Sequence, residues 1–281
     1  MIDHEILREH SDKSISTAIE GNLITQIEQD MMNVPEHYTP QVEKNKEMLR
    51  YYTGIQFVVE NGVYVRQFQE ADLERRVIEQ IDFFRSLGVP HTWWFGAGSS
   101  PQAIEDILLE NGLVKSEWDY PAMAVDLRRI EESRILEMMK QSGTTISIVK
   151  SEEQLKNWME VFRATTGWPE EANDAYHHSS KTLLKDSERA VLILAECDEK
   201  PVGTSLALFY NGVVGLYSVG TLEEHRGKGI GSLVSLAAMA EGEKKGYEIA
   251  ILFATQMGLN IYSRLGFNEY FKYRFFMDIP K

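Results

Sequence analysis

The sequence predicts a mixed α/β protein, with strands and helices in an α+β arrangement, built from two similar halves. The chain has 281 residues, and because a domain usually spans about 100–200 residues, about two domains are expected. Strand-like and helix-like segments alternate from residue 144 onward. A similar succession in the first half indicates duplication. We therefore predict domains at residues 1–130 and 144–281, with a polar helix-like stretch at 128–142 between them.

The composition limits the classes of protein to which this chain can belong. A hydrophobic content of 43% is sufficient for packed cores without disulfides or a structural metal. The single cysteine, Cys197, excludes a disulfide framework and a zinc cluster with its neighbours. We expect it to pack as a small apolar residue, and we expect no metal cofactor.

The charge balance is acidic, with 29 Lys and Arg against 43 Asp and Glu and a net charge of −14. Such a protein repels nucleic acid at long range, so we expect no nucleic-acid partner, whereas a cationic amine is attracted. The first residues lack the pattern of a signal peptide, and no apolar run approaches the ~20 residues of a membrane helix. The sequence predicts a cytoplasmic protein without a membrane partner.

In the second half, local patterns predict ten elements in the order β-α-α-β-β-β-α-β-α-β. Period-2 and period-3.6 patterns distinguish the strands from the helices. The predicted strands lie at residues 145–149, 190–196, 204–210, 213–219, 247–253 and 273–279. The predicted helices lie at 151–165 and 172–184, in the segment after Gly229, and around Tyr262.

The first half repeats part of this order. Residues 87–95 and 245–253 each follow a helix-like segment and lead into a second helix, which ends at residues 111–113 or 265–267. Residues 13–52 are polar-rich, and we predict helices there that are broken at Pro35 and Pro40. An internal repeat at a long offset is typical of a duplicated domain.

A glycine-rich loop is the most informative motif. Residues 226–231 read Arg-Gly-Lys-Gly-Ile-Gly and join a β-prone segment to a helix whose apolar residues, from Ile230 to Ala237, recur on one face. Glycines let the backbone approach a ligand closely, and a helix start leaves N–H groups without intrahelical partners. The loop therefore predicts a site for a phosphate or pyrophosphate.

Two other phosphate-binding motifs do not fit. A Walker loop would need Gly at the position of Leu222 and Ser or Thr at the position of Gly229. A dinucleotide-binding fingerprint would need Gly in place of Ser232 and an acidic residue where the next strand ends in Ala254 and Thr255. The sequence therefore weakens the interpretation as an NTP-binding domain.

The pattern Arg-x-x-Gly-x-Gly resembles the acyl-CoA loop of the GNAT superfamily of N-acetyltransferases. Further along, Tyr262, Gly266 and Phe267 resemble the Tyr-x-x-x-Gly-Phe helix of that superfamily. The element order predicted for 144–281 is also the order expected of that fold. The resemblance implies two tandem GNAT-like domains, each a mostly antiparallel twisted sheet flanked by helices.

The same resemblance implies that the first domain is degenerate. Its counterpart of the loop, residues 65–72, contains no glycine. Side chains, among them the carboxylates of Glu70 and Asp72, would occupy the space that phosphates need. We therefore expect only the second domain to bind coenzyme A.

The resemblance further implies acetyl-CoA as the co-substrate, with no metal. Val219 and Thr221 would pair with the pantetheine arm at a bulge that contains Gly220, and the Val219 N–H would polarise the acetyl carbonyl. Tyr262 would be the catalytic acid for the thiolate, and Asn260 would hold the pantetheine or cap its helix. The implied cofactor-binding residues are Val219, Gly220, Thr221, Arg226, Gly227, Lys228, Gly229, Ile230, Gly231, Ser232 and Asn260.

The general base stays open among Glu196, Tyr217, Ser218 and Glu223. A protein base is unnecessary if ordered water relays the proton or if the acceptor amine has a low pKa. His177 and His178 are adjacent and point to different helix faces, so they do not form a metal pair.

Trp168, in the loop between the first two helices of the second half, either contacts the acceptor or packs in the core.

Two functions from different classes remain. One is an N-acetyltransferase that moves acetyl from acetyl-CoA to the amine of a small molecule. The other is a non-catalytic acyl-CoA-binding or regulatory module. The presence of Tyr262 beside an intact loop favours the enzyme. The acceptor itself, amine or thiol, is not identified by the sequence.

Overall fold

The computed structural model describes residues 41–69, 71–100, 102–130 and 132–279. In the first half, the strands are β1 (Val42–Lys44), β2 (Met48–Tyr52), β3 (Asn61–Gln67), β4 (His91–Ser100), β5 (Val114–Lys115) and β6 (Tyr120–Asp126). The helices are α1 (Leu73–Leu87), α2 (Ala103–Glu110) and α3 (Glu132–Ser142), with 3-10 turns at Val58–Glu60 and Leu127–Arg129.

The second half contains all ten elements in the predicted order. The strands are β7 (Thr144–Ile148), β8 (Ala190–Cys197), β9 (Lys200–Tyr210), β10 (Val213–Thr221), β11 (Ile249–Phe253) and β12 (Asn268–Asp278). The helices are α4 (Glu152–Thr166), α5 (Glu170–Leu184), α6 (Ile230–Lys244) and α7 (Leu259–Arg264), with a 3-10 turn at Glu223–His225.

The described strands form one continuous sheet in the order β1-β2-β3-β4-β12-β6-β11-β10-β9-β8-β7, and β5 adds to β12. Two neighbouring pairs are parallel, β3 with β4 and β10 with β11, and the others are antiparallel. The predicted fold class, mixed α/β with a mostly antiparallel sheet, is confirmed.

The two halves exchange their last strands. β6, from the first half, lies beside β11 of the second, and β12 lies beside β4 of the first. At the centre of the sheet, β6 and β12 pair with each other. Read inward from β1 on one side and from β8 on the other, the strand order is therefore the same, and β7 is an additional edge strand without a counterpart among the described residues. The domain limits 1–130 and 144–281 stay a prediction, because a cut between them divides one sheet.

The duplication is visible at the helix starts. In each half, a parallel strand pair is connected by a helix, α1 or α6, whose N-cap residue has a left-handed backbone. That residue is Asp72 in the first half (φ 56°) and Gly229 in the second (φ 81°). Glycine adopts this conformation without strain, whereas aspartate is one of the few other residues that tolerate it.

Helices cover both faces of the second half of the sheet. Leu192 and Leu194 of β8 pack with α4, while Ile193 and Ala195 between them pack with α6. This alternation follows from the period of two in a β-strand.

Two predictions about helices were wrong. Residues 41–52 are not helical: β1 and β2 lie there, because Leu49 and Tyr51 are buried as part of a strand that pairs with β3. The remainder of the predicted helical stretch, 13–40, lies outside the described residues.

Helix α6 also lacks the single buried face that we predicted, because residues 233–240 are all buried. Ile135 and Met138 of α3 pack against the apolar cluster of α6 and the sheet, so α6 is covered on more than one side.

Candidate active site

The glycine-rich loop forms an open backbone turn at the start of α6. Gly227 and Gly229 have φ angles of 77° and 81°. Within the described parts of the chain, none of the six consecutive N–H groups from Gly227 to Ser232 donates a hydrogen bond, and the first that does is Leu233, to the Gly229 carbonyl (2.9 Å). Unpaired N–H groups at a helix N-terminus carry partial positive charge and bind phosphate oxygens.

Three elements meet at this loop. The Arg226 guanidinium donates to the Thr221 carbonyl at the end of β10 (3.3 Å), while Lys228 is exposed. A Cβ at Gly231 would lie 3.4 Å from Cδ1 of Ile261 and 3.6 Å from Oγ1 of Thr221. The structure thus brings the loop, the end of β10 and α7 together.

Strands β10 and β11 diverge beside the loop. They pair only at Val214 with Ala250 and at Gly215 with Ile251. Beyond Gly215, β10 continues to Thr221 paired with β9 alone, as far as the described residues extend. The edge of β10 that faces β11 is therefore free to pair with an extended ligand, as a pantetheine arm would require.

The predicted bulge lies in the same part of β10. The register shifts between Tyr217 and Gly220, and Ser218 has a φ angle of 51°. A Cβ at Gly220 would lie 2.5 Å from Oγ1 of Thr165, so only glycine fits there. A bulge redirects backbone and side chains locally, which is why bulges occur near active sites.

Tyr262 is buried on α7, with 9% of its surface exposed. Burial raises the pKa of the phenol above its usual range. The ring packs against Phe267 at 5.8 Å between centroids, and its hydroxyl has no hydrogen-bond partner among the described residues. The hydroxyl is therefore protonated at neutral pH and available to donate to a ligand.

Asn260 does not cap its helix, so that interpretation was wrong. It is the second residue of α7 and is exposed, whereas the N-cap is Gly258. Oγ1 of Thr255 accepts a hydrogen bond from the Gly258 N–H (3.2 Å) and stabilises the start of the helix. The proposed contact of Asn260 with pantetheine stays a prediction.

The candidates for the general base lie in different places. Glu196 lies near the β8–β9 turn, paired with Pro201, and Glu223 is exposed before the loop. Tyr217 and Ser218 lie at the bulge, with the Tyr217 ring 6.0 Å from Phe253. Ser218 is at hydrogen-bond distance from the Tyr176 hydroxyl, 2.6 Å between the oxygens.

Helix α5 contributes aromatic side chains beside the bulge. Burial, opposed in part by the hydrogen bond with Ser218, raises the pKa of Tyr176 to about 12. Trp168 packs against Tyr176 and Phe57, at 5.7 and 5.2 Å between ring centroids. It is partly buried, which supports the packing interpretation of this residue.

Three other singled-out residues lie in ordinary surroundings. Cys197 is partly buried and packs against the apolar cluster of α6. His178 is exposed, and burial lowers the pKa of the partly buried His177.

Glu60, which the sequence did not single out, is the strongest additional candidate. It is only 5% exposed, and burial raises its pKa to about 7. The ring of Phe57, three residues before it, contacts Trp168 beside Tyr176. Tyr176 contacts Ser218 at the bulge of β10, so this segment lies near the bulge. No local pattern could have found it, because it lies in the first half and only the fold brings it to this site.

The position of the first half that corresponds to the glycine-rich loop has different side chains. Phe68 is buried before the start of α1, and a cleft of about 510 Å³ between α1 and α2 is lined by three carboxylates and one guanidinium. These belong to Asp72, Glu74, Glu110 and Arg75. A net negative lining repels phosphates, which supports the prediction of a degenerate first half. Glu70 lies outside the described residues.

Among the residues that the structure describes, no group of three or more His, Cys, Asp or Glu side chains could hold a metal ion. No helix in that part of the chain is long and apolar enough to cross a membrane.

Comparison with known proteins agrees with this geometry. Residues 153–267, which contain the loop, the bulge and Tyr262, match the family described as Acetyltransferase (GNAT) family. The second half of the chain is a GNAT-family domain. A comparison with curated protein sequences finds no match.

Solved structures extend the fold of this GNAT domain to nearly the whole chain. A GCN5-related N-acetyltransferase from Kribbella flavida is 16% identical, with a TM-score of 0.64, and covers 95% of this chain and 97% of its own. A conserved protein of unknown function from Staphylococcus epidermidis is 13% identical, with a TM-score of 0.66 and coverage of 86% and 95%.

A tandem GNAT protein from the clavulanic acid biosynthesis pathway is 12% identical, with a TM-score of 0.56 and coverage of 90% and 87%. At these identities the likeness establishes the fold, and the chain as a whole has that of tandem GNAT proteins.

Proposed function

We propose that this protein is an N-acetyltransferase that moves the acetyl group of acetyl-CoA to the amine of a small molecule. The observation that carries the proposal is the row of six unpaired N–H groups, residues 227–232, beside the open edge of β10. GNAT-family domains use acyl-CoA, and the described residues fit its parts. The loop suits the pyrophosphate, and the edge of β10 suits the pantetheine.

The chain's own groups then support acetyl transfer. The Val219 N–H, beside the bulge, would donate to the acetyl oxygen and stabilise the negative charge that develops there. Tyr262 would donate its proton to the sulfur that leaves as thiolate. In water a phenol is a weaker acid than a thiol, but the burial that raises the Tyr262 pKa also disfavours a free thiolate beside it.

The surroundings of the bulge suit an amine acceptor. Tyr217, Tyr176 and Phe253 supply aromatic surface there, and aromatic faces attract cations. The net charge of −14 favours arrival of a positively charged amine. The loop must bind the anionic coenzyme against that same field, which makes its short-range N–H donors essential.

The proposal is tested by measuring acetyl-CoA binding by calorimetry, and then free CoA release over a panel of amines. Release that depends on the added amine supports the enzyme. Binding of acetyl-CoA without turnover of any amine or thiol would favour the non-catalytic acyl-CoA-binding module. Absence of binding would reject both.

A further inference from the structure

The segment that ends at Glu60 belongs to the first half but lies against the second. The Phe57 ring is 5.2 Å from the ring of Trp168. Val59 packs against the same apolar cluster as Tyr217. The Glu60 carboxylate is near enough to Tyr176 for its charge to act on that hydroxyl. The contact of Phe57 with Trp168 therefore places this segment beside Tyr176, which reaches the bulge of β10 through Ser218.

The Glu60 side chain is largely buried, and its carboxylate has no partner among the described residues. It is 5% exposed and has no hydrogen bond or ion pair with any described residue. Glu105, another buried carboxylate of the same half, shows the usual arrangement: it is 6% exposed and lies 2.8 Å from the Arg274 guanidinium. A buried charge without a partner is unfavourable and is seldom kept unless a ligand or a reaction uses it.

The surrounding titratable groups are phenols. Tyr51 of β2 donates its hydroxyl to the Val59 carbonyl (2.9 Å), Tyr176 of α5 faces Ser218, and Tyr217 of β10 packs in the shared cluster. Phenols are neutral near pH 7. Among the described groups named here, Glu60 is therefore the one that offers negative charge to a cationic amine.

We propose that Glu60 is the general base of the acetyl transfer and that it receives the ammonium form of the acceptor, so that the active site is formed by both halves. This inference rests on the proposed function and deepens it. The first half would then supply a catalytic group and would not be a scaffold alone.

The proton balance of the step follows. An ammonium group gives one proton to the Glu60 carboxylate and becomes a free amine, whose lone pair forms the new C–N bond at the acetyl carbon. As the C–S bond breaks, the sulfur receives a proton from Tyr262. The nitrogen loses its second proton, which restores Tyr262, and Glu60 releases the first to solvent. The products are the amide, CoA as the thiol, and one proton.

The test is the pH dependence of kcat/KM and kcat for the full chain and for Glu60→Gln, Glu60→Asp and the control Glu105→Gln. For Glu60→Gln we expect kcat to fall about 100-fold or more, as for loss of a general base, with acetyl-CoA affinity changed less than about twofold. The wild-type rate should rise through a midpoint near 7, and this limb should be absent in Glu60→Gln. Glu60→Asp should restore part of the rate, and Glu105→Gln should still show the rise of the rate with pH.

The outcomes separate this inference from the proposed function. If the wild type releases CoA with an amine and Glu60→Gln keeps both the rate and the ascending limb, Glu60 is not the base, while the acetyltransferase stands. If the wild type binds acetyl-CoA and no amine reacts, both proposals are rejected.

If Glu60→Gln fails to fold, infrared titration of the wild type tests whether Glu60 is the base. Comparison with Glu60→Asp then assigns the carboxyl band to Glu60. A carboxyl band with a midpoint near 7 that shifts when the amine is added supports the inference. No such band overturns it.

Discussion

The hydroxyl oxygens of Tyr176 and Ser218 lie 2.6 Å apart, and this contact connects helix α5 to the bulge of β10. Ser218 is held with a φ angle of 51°, which is unfavourable for a residue other than glycine. The hydrogen bond therefore helps to fix the bulge on which Val219 sits.

This contact predicts a measurable coupling between the two side chains. In a double-mutant cycle with Tyr176→Phe and Ser218→Ala, we expect a coupling energy of about 1 kcal/mol, the usual net value of a neutral hydrogen bond. Urea unfolding of the four proteins measures it. Strictly additive effects of the two substitutions would contradict a structural role for the contact.

The glycine loop can be tested with a pair of equivalent substitutions. Gly229 and Gly246 both have positive φ angles, 81° and 87°, and neither has an atom within 3.5 Å of where a Cβ would lie. Gly229→Ala and Gly246→Ala should thus cost similar stability, about 1–2 kcal/mol for the left-handed backbone. Only Gly229→Ala places a methyl group in the glycine-rich loop, so we expect it to weaken acetyl-CoA binding at least about tenfold. Calorimetry that found equal affinities for the two variants would reject the loop as the binding site.

Tyr262→Phe removes the hydroxyl that we assign to protonation of the thiolate. We expect kcat to fall about 10- to 100-fold while the Kd of acetyl-CoA stays within about twofold, because the group acts in the transition state. Tyr247→Phe is the control, since Tyr247 packs against the same apolar cluster near the far end of α6. Equal, small effects of the two substitutions would mean that Tyr262 only packs.

The raised pKa of Glu60 predicts that the free energy of unfolding depends on pH. Its folded pKa of about 7 lies above the ordinary value of 4.5, so between these values the folded protein binds more protons than the unfolded chain. The stabilisation by protonated Glu60 is complete below about pH 4.5 and is lost as the pH rises to about 7.

Glu60→Gln stays neutral and should become progressively more stable than the wild type over this range, by up to about 3 kcal/mol at pH 8. Urea unfolding at a series of pH values measures the difference. A difference that does not change with pH would contradict a raised pKa for Glu60.

The strand exchange predicts that residues 144–281 will not fold well alone. Without β6, the edges of β11 and β12 that it covers would be exposed, and exposed edges favour aggregation. We expect this fragment to be insoluble or to lack a cooperative unfolding transition. As a control, the full chain cut by a protease between residues 128 and 142 should stay associated. A monomeric, cooperatively folding fragment would show that the shared sheet is dispensable.

Much of the second half could be predicted from sequence because its signals are local. The periodicity of residues 144–281 depends on neighbours within each segment, and it yielded the order of all ten elements. The glycines at 227 and 229 are local as well, since a positive φ angle is a property of the residue itself. The bulge at Gly220 was expected from the resemblance to the GNAT superfamily.

Other features required the tertiary structure. Residues 41–52 are polar enough to suggest helix, and only pairing with β3 makes them strands. Helix α6 was expected to have one exposed face, but α3 covers it. Asn260 was a plausible cap by spacing, yet the helix begins at Leu259 and Thr255 supports that start.

The sequence by itself determined the glycine-rich loop and the succession of strands and helices, because these depend on the conformational preferences of adjacent residues. The tertiary structure alone decided that the halves exchange strands and that Glu60 lies beside the bulge of β10. Contacts between residues so distant along the chain are not indicated by the local sequence pattern of either segment. They form only when burial of apolar surface brings the two halves together.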